Sequence, residues 1–456
     1  ILDLEESQEE YSIEWKVREL VGRYSDYIGY PIELGVRPRD DEGNQKEDAD
    51  LEFEKINQAT ALWQRNPSEV SEEQYEEFYK HLTSDYAAPR AHRHFKVEGT
   101  QMFAGMLFLP TRAPFDLYGP EAKHGVRLHV RRVFVMDNCE ELLPKWLRFL
   151  RGLVDSEDLP LNVSREILQD SRAVRVIQKQ VVHHALTMLE ELKKEKQDEY
   201  EAFWKDFGAV LKEGIHFQSD QKDRIAALSL YASSKAEGLT TLADYVSRMK
   251  ENQTAIYFAA GSERSVLENS PHIEALKKRD YEVLFMTDGI DQFAVQSLGE
   301  FEGKKLVSAM DENLNFEEEK TEEEKKAEKE QEEAAAPLVA QFKSVLEEKV
   351  AEVRVSHRLT DSPVCLVVPE GGMAPHLERL MMAQQMGMPA QKRILELNPE
   401  HPIIVGLGKV DDAVKKKEWV EVLYDQALIA EGSPVTDPGS FAKRLSHLLT
   451  QAVSQG

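Results

Sequence analysis

Apolar residues recur along this chain with two periods. In KHGVRLHVRRVFVM (Lys123–Met136) they alternate, which predicts a strand. EELLPKWLRFLRGLV reads as a helix ending near Gly152. From Arg165 to Leu192, the residues Ile167, Val174, Ile177, Val181, Ala185 and Met188 mark one side of a long amphipathic helix. Around Asp244 a smaller unit begins. It runs as strand-like TAIYFAA (Thr254–Ala260), a helical stretch Ser262–Lys278, strand-like YEVLFMT (Tyr281–Thr287), helical DGIDQFAVQSL and strand-like KKLVSAM. That β-α-β-α-β order implies a small parallel sheet flanked by helices.

The pattern then stops. EEEKTEEEKKAEKEQEE (Glu317–Glu333) holds ten Glu and four Lys in 17 residues and has no apolar stripe. It reads as a solvated helix or a tether between folded parts. Beyond Pro337 the chain is mixed α/β and closes in two helices. KEWVEVLYDQALIAEG stops at Gly432, with Pro434 beyond it. DPGSFAKRLSHLLTQAV offers Asp437 as N-cap and Pro438 at the first helical position. Trp419, Val422 and Leu423 on one helix, and Phe441, Leu445, Leu448 and Leu449 on the other, form faces too broad for a lone hairpin. Paired across a two-fold axis they would build a four-helix bundle and a homodimer. The fold class is therefore α/β and multidomain. A large α/β part with a helical connector occupies 1–242, a small α/β part 243–315, a charged linker 316–336, and a mixed α/β dimerisation domain 337–456.

Composition narrows the function. The 456 residues carry a net charge of −26, the wrong sign for a general nucleic-acid or anionic-membrane binder. Cys139 and Cys365 are the only cysteines, so neither a disulfide framework nor a zinc site is expected, and a reducing compartment such as the cytoplasm is. No apolar run approaches the ~20 residues that span a bilayer, and no signal peptide opens the chain. The first residue is Ile1, within strand-like ILDLE, which raises the expectation of further sequence upstream.

Motif chemistry is sparse. There is no G-x-x-x-x-G-K-[ST] and no G-x-G-x-x-G, hence no recognised phosphate cradle. Gly261 before a helix reads as a plain β–α turn. His92 and His94, and the adjacent His183 and His184, lack the clustered partners of a metal site, and no metal is expected. One stretch stands apart: LPLNVSREILQD (Leu159–Asp170) sets Arg165 at an expected helix start, where the helix dipole disfavours a cation. On such a helix Gln169 and Arg172 share its face, Asn162 lies on the chain leading in, and the apolar stripe points away. Two readings stand. Asp158 or Glu166 pairs with Arg165 on the surface, or the group is an anion site completed by a phosphate from another domain or molecule.

Here the sequence resembles a known family. SEDLPLNVSREILQDS (Ser156–Ser171) looks like the middle domain of the ninety-kilodalton heat-shock chaperones. So do ALWQRNPSEVSEEQYEEFYKHL (61–82), LPTRAPFDLY (109–118), HVRRVFVMD (129–137), HRLTDSPVCLV (357–367) and LELNPEHPII (395–404), in order along essentially the whole chain. The ending QAVSQG lacks an acidic tail, as in the bacterial type. The resemblance implies an ATP-dependent, stress-response chaperone whose N-terminal ATP-binding domain, with Mg, lies upstream of this chain. By itself the chain would bind no nucleotide and hydrolyse none. Arg165 would reach the terminal phosphate on domain closure, with Asn162 and Gln169 ordering the catalytic loop. Phe115 and Trp63 would stand at or near the interdomain interface, and unfolded client proteins would be the partners.

GMAPHLERLMMAQQMGM (Gly372–Met388) holds five of the twelve methionines, all within the 16 residues Met373–Met388. Pattern alone suits a buried helix. The resemblance makes Met373, Leu377, Leu380, Met381 and Met388 a flexible client-binding face, with Phe293 in DGIDQF a second candidate where relatives often carry tryptophan. Two other classes remain open: a dimeric protein-binding scaffold with no nucleotide cycle, and a trans-acting activator of another ATPase, which would leave the Met-rich stretch unexplained.

Overall fold

The computed structural model describes residues 6–38, 50–119, 124–161, 171–312, 314, 322–383 and 391–455. The chain divides into two units, Ile1–Gly214 and Ile215–Gly456.

The first unit is organised by a five-stranded sheet. Strands β1 (Glu33–Val36) and β2 (Glu52–Lys55) form a separate antiparallel pair. The main sheet contains β3 (Ala91–Val97), β4 (Phe103–Leu109), β5 (Val126–Val130), β6 (Val133–Cys139) and β7 (Arg151–Ser156), in the order β3-β4-β7-β5-β6. Every residue of β4, FAGMLFL, is buried. Helix Glu72–Thr83 starts from a capping box in which Ser71 and Gln74 satisfy each other's backbone N–H. Its Tyr75, Phe78, Tyr79 and Leu82 pack with Met106, Phe108 and Leu153 of the sheet.

Three expectations are corrected here. Residues 123–136 hold two strands, because Arg131 (φ 52°) and Arg132 (φ 67°) both turn left-handed and fold β5 back onto β6. Alternation runs unbroken through such a turn, and Arg-Arg carries no turn signal. EELLPKWLRFLRGLV is not a helix. Pro144 lacks the N–H a helix interior needs and clashes with the preceding turn, leaving single 3-10 turns at Glu140–Leu142 and Lys145–Leu147 before the buried β7. The long helix does not run unbroken from Arg165. Ser171 is extended (φ −73°, ψ 124°) and caps a helix that starts at Arg172 and ends at Glu195, its hydroxyl accepting from the Val174 N–H.

The second unit contains two sheets. The first comprises β8 (Leu230–Ser233), β9 (Leu239–Thr241), β10 (Ala255–Ala260), β11 (Val283–Met286), β12 (Glu300–Phe301) and β13 (Lys304–Ser308), ordered β12-β13-β10-β11-β8-β9. Its parallel centre β13-β10-β11 is the expected small sheet. The sheet begins at Leu230 rather than 243, since β8 adds antiparallel to β11 and β9 to β8. Pro271 divides the expected 262–278 helix into Arg264–Glu268, a 3-10 turn Pro271–Ile273, and Glu274–Lys278.

The other sheet is β14 (Val350–Val355), β15 (Val364–Val367) and β16 (Arg393–Leu397), with β16 central. Around it lie helices Glu322–Leu346, Pro375–Ala383, Pro402–Gly408, Ala413–Glu431 and Pro438–Gln455. Residues 322–333 of the charged run form the first half of the 322–346 helix, whose other end buries Phe342 and Leu346 against Val353, Leu395 and Leu423. A linker boundary at 336 therefore falls inside a helix. The 413–431 helix ends at Gly432, which takes the left-handed conformation (φ 82°) as expected of a C-terminal glycine.

Candidate functional site

Asn162, Arg165 and Gln169 lie outside the described residues. The two interdomain candidates, Phe115 and Trp63, are described, and they differ. Phe115 is wholly exposed (102 % of its reference area), with Pro114 before it. An exposed phenylalanine forgoes roughly 1.5–3 kcal/mol of burial. Trp63 is the opposite, fully buried. Its Nε1 donates to Asp155 Oδ2 at 2.7 Å, and its ring meets Tyr27 at 4.7 Å and His129 at 5.1 Å. Trp63 is thus a core residue of the first unit: an indole with an acceptor for its N–H gains most by full burial.

The Met-rich stretch is helical over Pro375–Ala383, while Met388 and the side chains of Leu380 and Met381 lie outside the described residues. Leu377 is buried in its own chain, so it does not belong to a free apolar face. Met373 is half-buried and Met382 is exposed. The base of this helix is held by charge. Arg393, the first residue of β16 and itself buried, directs Nη2 to Glu378 Oε2, Nε to Glu431 Oε1 at 3.0 Å and Nη1 to the Gln391 carbonyl at 3.1 Å. Glu378 Oε1 also accepts from the Gln391 N–H at 2.6 Å, and the Gln391 side-chain carbonyl accepts from the Met373 N–H at 3.0 Å. Phe293 is half-buried, its ring 5.6 Å from that of His216, whose neighbour Phe217 is exposed.

Two of the quoted motifs meet in space, which the sequence did not indicate. Glu396 of LELNPEHPII is buried and receives Arg358 Nε (3.0 Å) from HRLTDSPVCLV, along with the Ser356 hydroxyl (2.8 Å) and Arg354 Nη2 (2.7 Å). Burial alone would raise this carboxyl; Arg358 and Arg354 outweigh it and hold Glu396 below the usual carboxylate range. Arg358 also donates to the Ala309 and Asp311 carbonyls, and Glu274 accepts from the Thr360, Asp361 and Ser362 N–H groups, so these polar groups join the two sheets of the second unit. His272 completes the joint. Its Nε2 faces the Leu366 carbonyl at 2.6 Å and therefore carries the proton, leaving Nδ1 to accept from Ser270 at 2.8 Å. The only signal in the sequence was charged residues inside strand-like runs.

Of the proposed dimer residues, Val422, Leu423 and Leu448 are buried within the single chain, and Leu423 belongs to its core. Trp419, Phe441 and Leu445 are half-buried and Leu449 is 57 % exposed. Val453, one turn beyond Leu449, is 81 % exposed, and Ile429 on the 413–431 helix is exposed too; neither was singled out from the sequence. Polar pairs fix the two helices to each other: Arg444 Nη2 meets Asp425 Oδ2 at 2.6 Å, and His447 meets Glu418 at 3.0 Å. Among the described residues no group of three or more His, Cys, Asp or Glu is placed to hold a metal ion, and no helix is long and apolar enough to cross a membrane.

Residues 37–455 match the Hsp90 protein family. The chaperone protein HtpG of Myxococcus xanthus is 52% identical across 99% of this chain and 70% of its own length. The HtpG proteins of Geobacter sulfurreducens (45%, covering 98% of this chain and 71% of the relative) and Chromobacterium violaceum (44%, 99% and 72%) are similar too.

Proposed function

The chain belongs to the Hsp90 protein family, and from that premise we propose that it is the client-binding and dimerising part of an ATP-dependent, cytoplasmic molecular chaperone. The match across residues 37–455 carries this reading. The sequence holds no phosphate cradle of its own, so in this reading an N-terminal domain outside the 456 residues binds ATP with its magnesium ion. Arg165 is the residue proposed to meet the terminal phosphate: a guanidinium presents fixed paired donors to phosphoryl oxygens and stays charged at any working pH. Asn162 and Gln169 are proposed to order the loop that carries it. The wholly exposed Phe115 supports a domain surface that closes on a partner.

The test is ATP turnover and suppression of client aggregation by the full-length protein. Arg165→Ala is expected to lower turnover by about tenfold or more, short of the ~10³–10⁵ of a dedicated arginine finger because domain closure shares the barrier. Folding and dimerisation should persist. Unchanged turnover would falsify the phosphate role and restore a surface pair. Aggregation suppression that persists undiminished without nucleotide would favour the dimeric scaffold instead.

A further inference from the structure

Glu431 is badly placed for helix stability. It is the last residue of the 413–431 helix, where the dipole disfavours an anion, and its side chain is only 2% exposed. Its partners account for it: Oε1 accepts from Arg393 Nε at 3.0 Å and Oε2 from the Ser433 hydroxyl at 2.7 Å. The same guanidinium holds Glu378, in the first turn of the 375–383 helix. A second link runs in parallel, from Arg379 Nη1 of that helix to the carbonyl of Gly432. Two carboxylates that would repel one another, on helices far apart in sequence, thus share one buried cation.

We propose that the Glu378–Arg393–Glu431 bridge is a positioning device that couples the base of the Pro375–Ala383 helix to the carboxyl end of the Ala413–Glu431 helix, so that dimer formation orders the client-binding helix. This rests on the proposed roles of those two helices. A buried guanidinium engaged through all three nitrogens leaves little freedom for either carboxylate to move alone. A shift of the 413–431 helix on dimerisation therefore changes the set of the 375–383 helix, and an occupant of the latter changes dimer affinity by the same factor.

The experiment compares amide hydrogen exchange at residues 375–383 in the parent dimer with that in Leu449→Asp, whose exposed side chain can be changed without disturbing the fold of one chain. Exchange is expected to be about fivefold or more faster in the monomer, an ordinary coupling factor. In variants carrying Arg379→Gln, which removes the parallel link to Gly432, adding Glu378→Gln should abolish that difference while thermal unfolding stays cooperative. Should Glu378→Gln fail to fold, Arg393→Lys in the same background keeps the charge, loses the fork and is expected to abolish the difference as well. Equal exchange in dimer and monomer overturns the coupling alone, as does a difference that survives both bridge variants. A parent that sediments as a monomer, or a Leu449→Asp variant that still dimerises, overturns the assembly reading and the coupling with it.

Discussion

His129 is buried beside Trp63, Tyr27 and Phe134, and burial pushes its imidazole down to about 4, with the Asp155 charge opposing. A histidine held neutral in the folded state binds its proton first when unfolded, near 6.5. Stability from this group is therefore intact above about pH 6.5 and falls as pH drops toward 4, by about 2 kcal/mol between pH 7.5 and pH 5. His129→Phe keeps a ring in an aromatic setting and removes the titration. The parent's loss of unfolding free energy between these pH values should exceed the variant's by about that amount in urea titrations; parallel pH dependences would show that His129 is not held neutral. Nothing in HVRRVFVMD distinguishes this histidine from a surface one. Its environment comes from Trp63, 66 positions away in sequence, and a single-sequence pattern carries no such pairing. Arg165 drew notice for the contrary reason: a cation at an expected helix start conflicts with a local rule that needs no tertiary knowledge, although the described helix begins at Arg172.

At the scale of elements, what was legible followed from local chemistry. The 413–431 helix ended at Gly432 and the 438–455 helix began at Asp437, whose Oδ1 accepts from the Ser440 N–H at 2.9 Å, because caps act within one turn. The β7 segment was misread because a strand buried on both faces shows the same dense apolar run as a buried helix. The charged run was read correctly as lacking an apolar stripe, yet the helix it begins reaches the core at Phe342 and Leu346. Its two halves should accordingly respond differently. The first half is tied by Glu332 to His357 at 2.9 Å and by Gln331 to Glu400 at 2.7 Å, exposed pairs worth about 0–1 kcal/mol each. Replacing Glu317–Glu333 with an equal length of Gly/Ser should cost the second unit no more than about 2 kcal/mol. Phe342→Ala should cost about 3–5 kcal/mol through the cavity it leaves. Denaturant midpoints decide between these, and a larger loss from the Gly/Ser replacement would show that the charged half packs.

For the molecule as a whole, assembly sets apolar contact against charge. Each chain carries −26, so two copies repel one another at long range. A dimer must therefore be held at short range by apolar burial. The described surface offers Leu449 and Val453 exposed on one face of the last helix, with Trp419, Phe441 and Leu445 half-buried nearby in sequence on the two helices. Burying a leucine side chain is worth about 1.5–3 kcal/mol, so a few such residues from each copy suffice for micromolar or tighter association after the cost of immobilising two chains. The inner contacts of the helix pair, Arg444 to Asp425 and His447 to Glu418, lie within one chain and are not needed across the axis. Sedimentation at low micromolar concentration is expected to show a dimer, and a chain ending before Asp437 a monomer. Added salt distinguishes the driving force. The Debye length falls from about 10 Å at 0.1 M to about 3 Å at 1 M, so repulsion is screened while apolar burial is retained, and the dimer should tighten. Weakening with salt would mean that ion pairs hold the dimer, and equal affinity in the truncated chain would place the interface elsewhere than on these terminal helices.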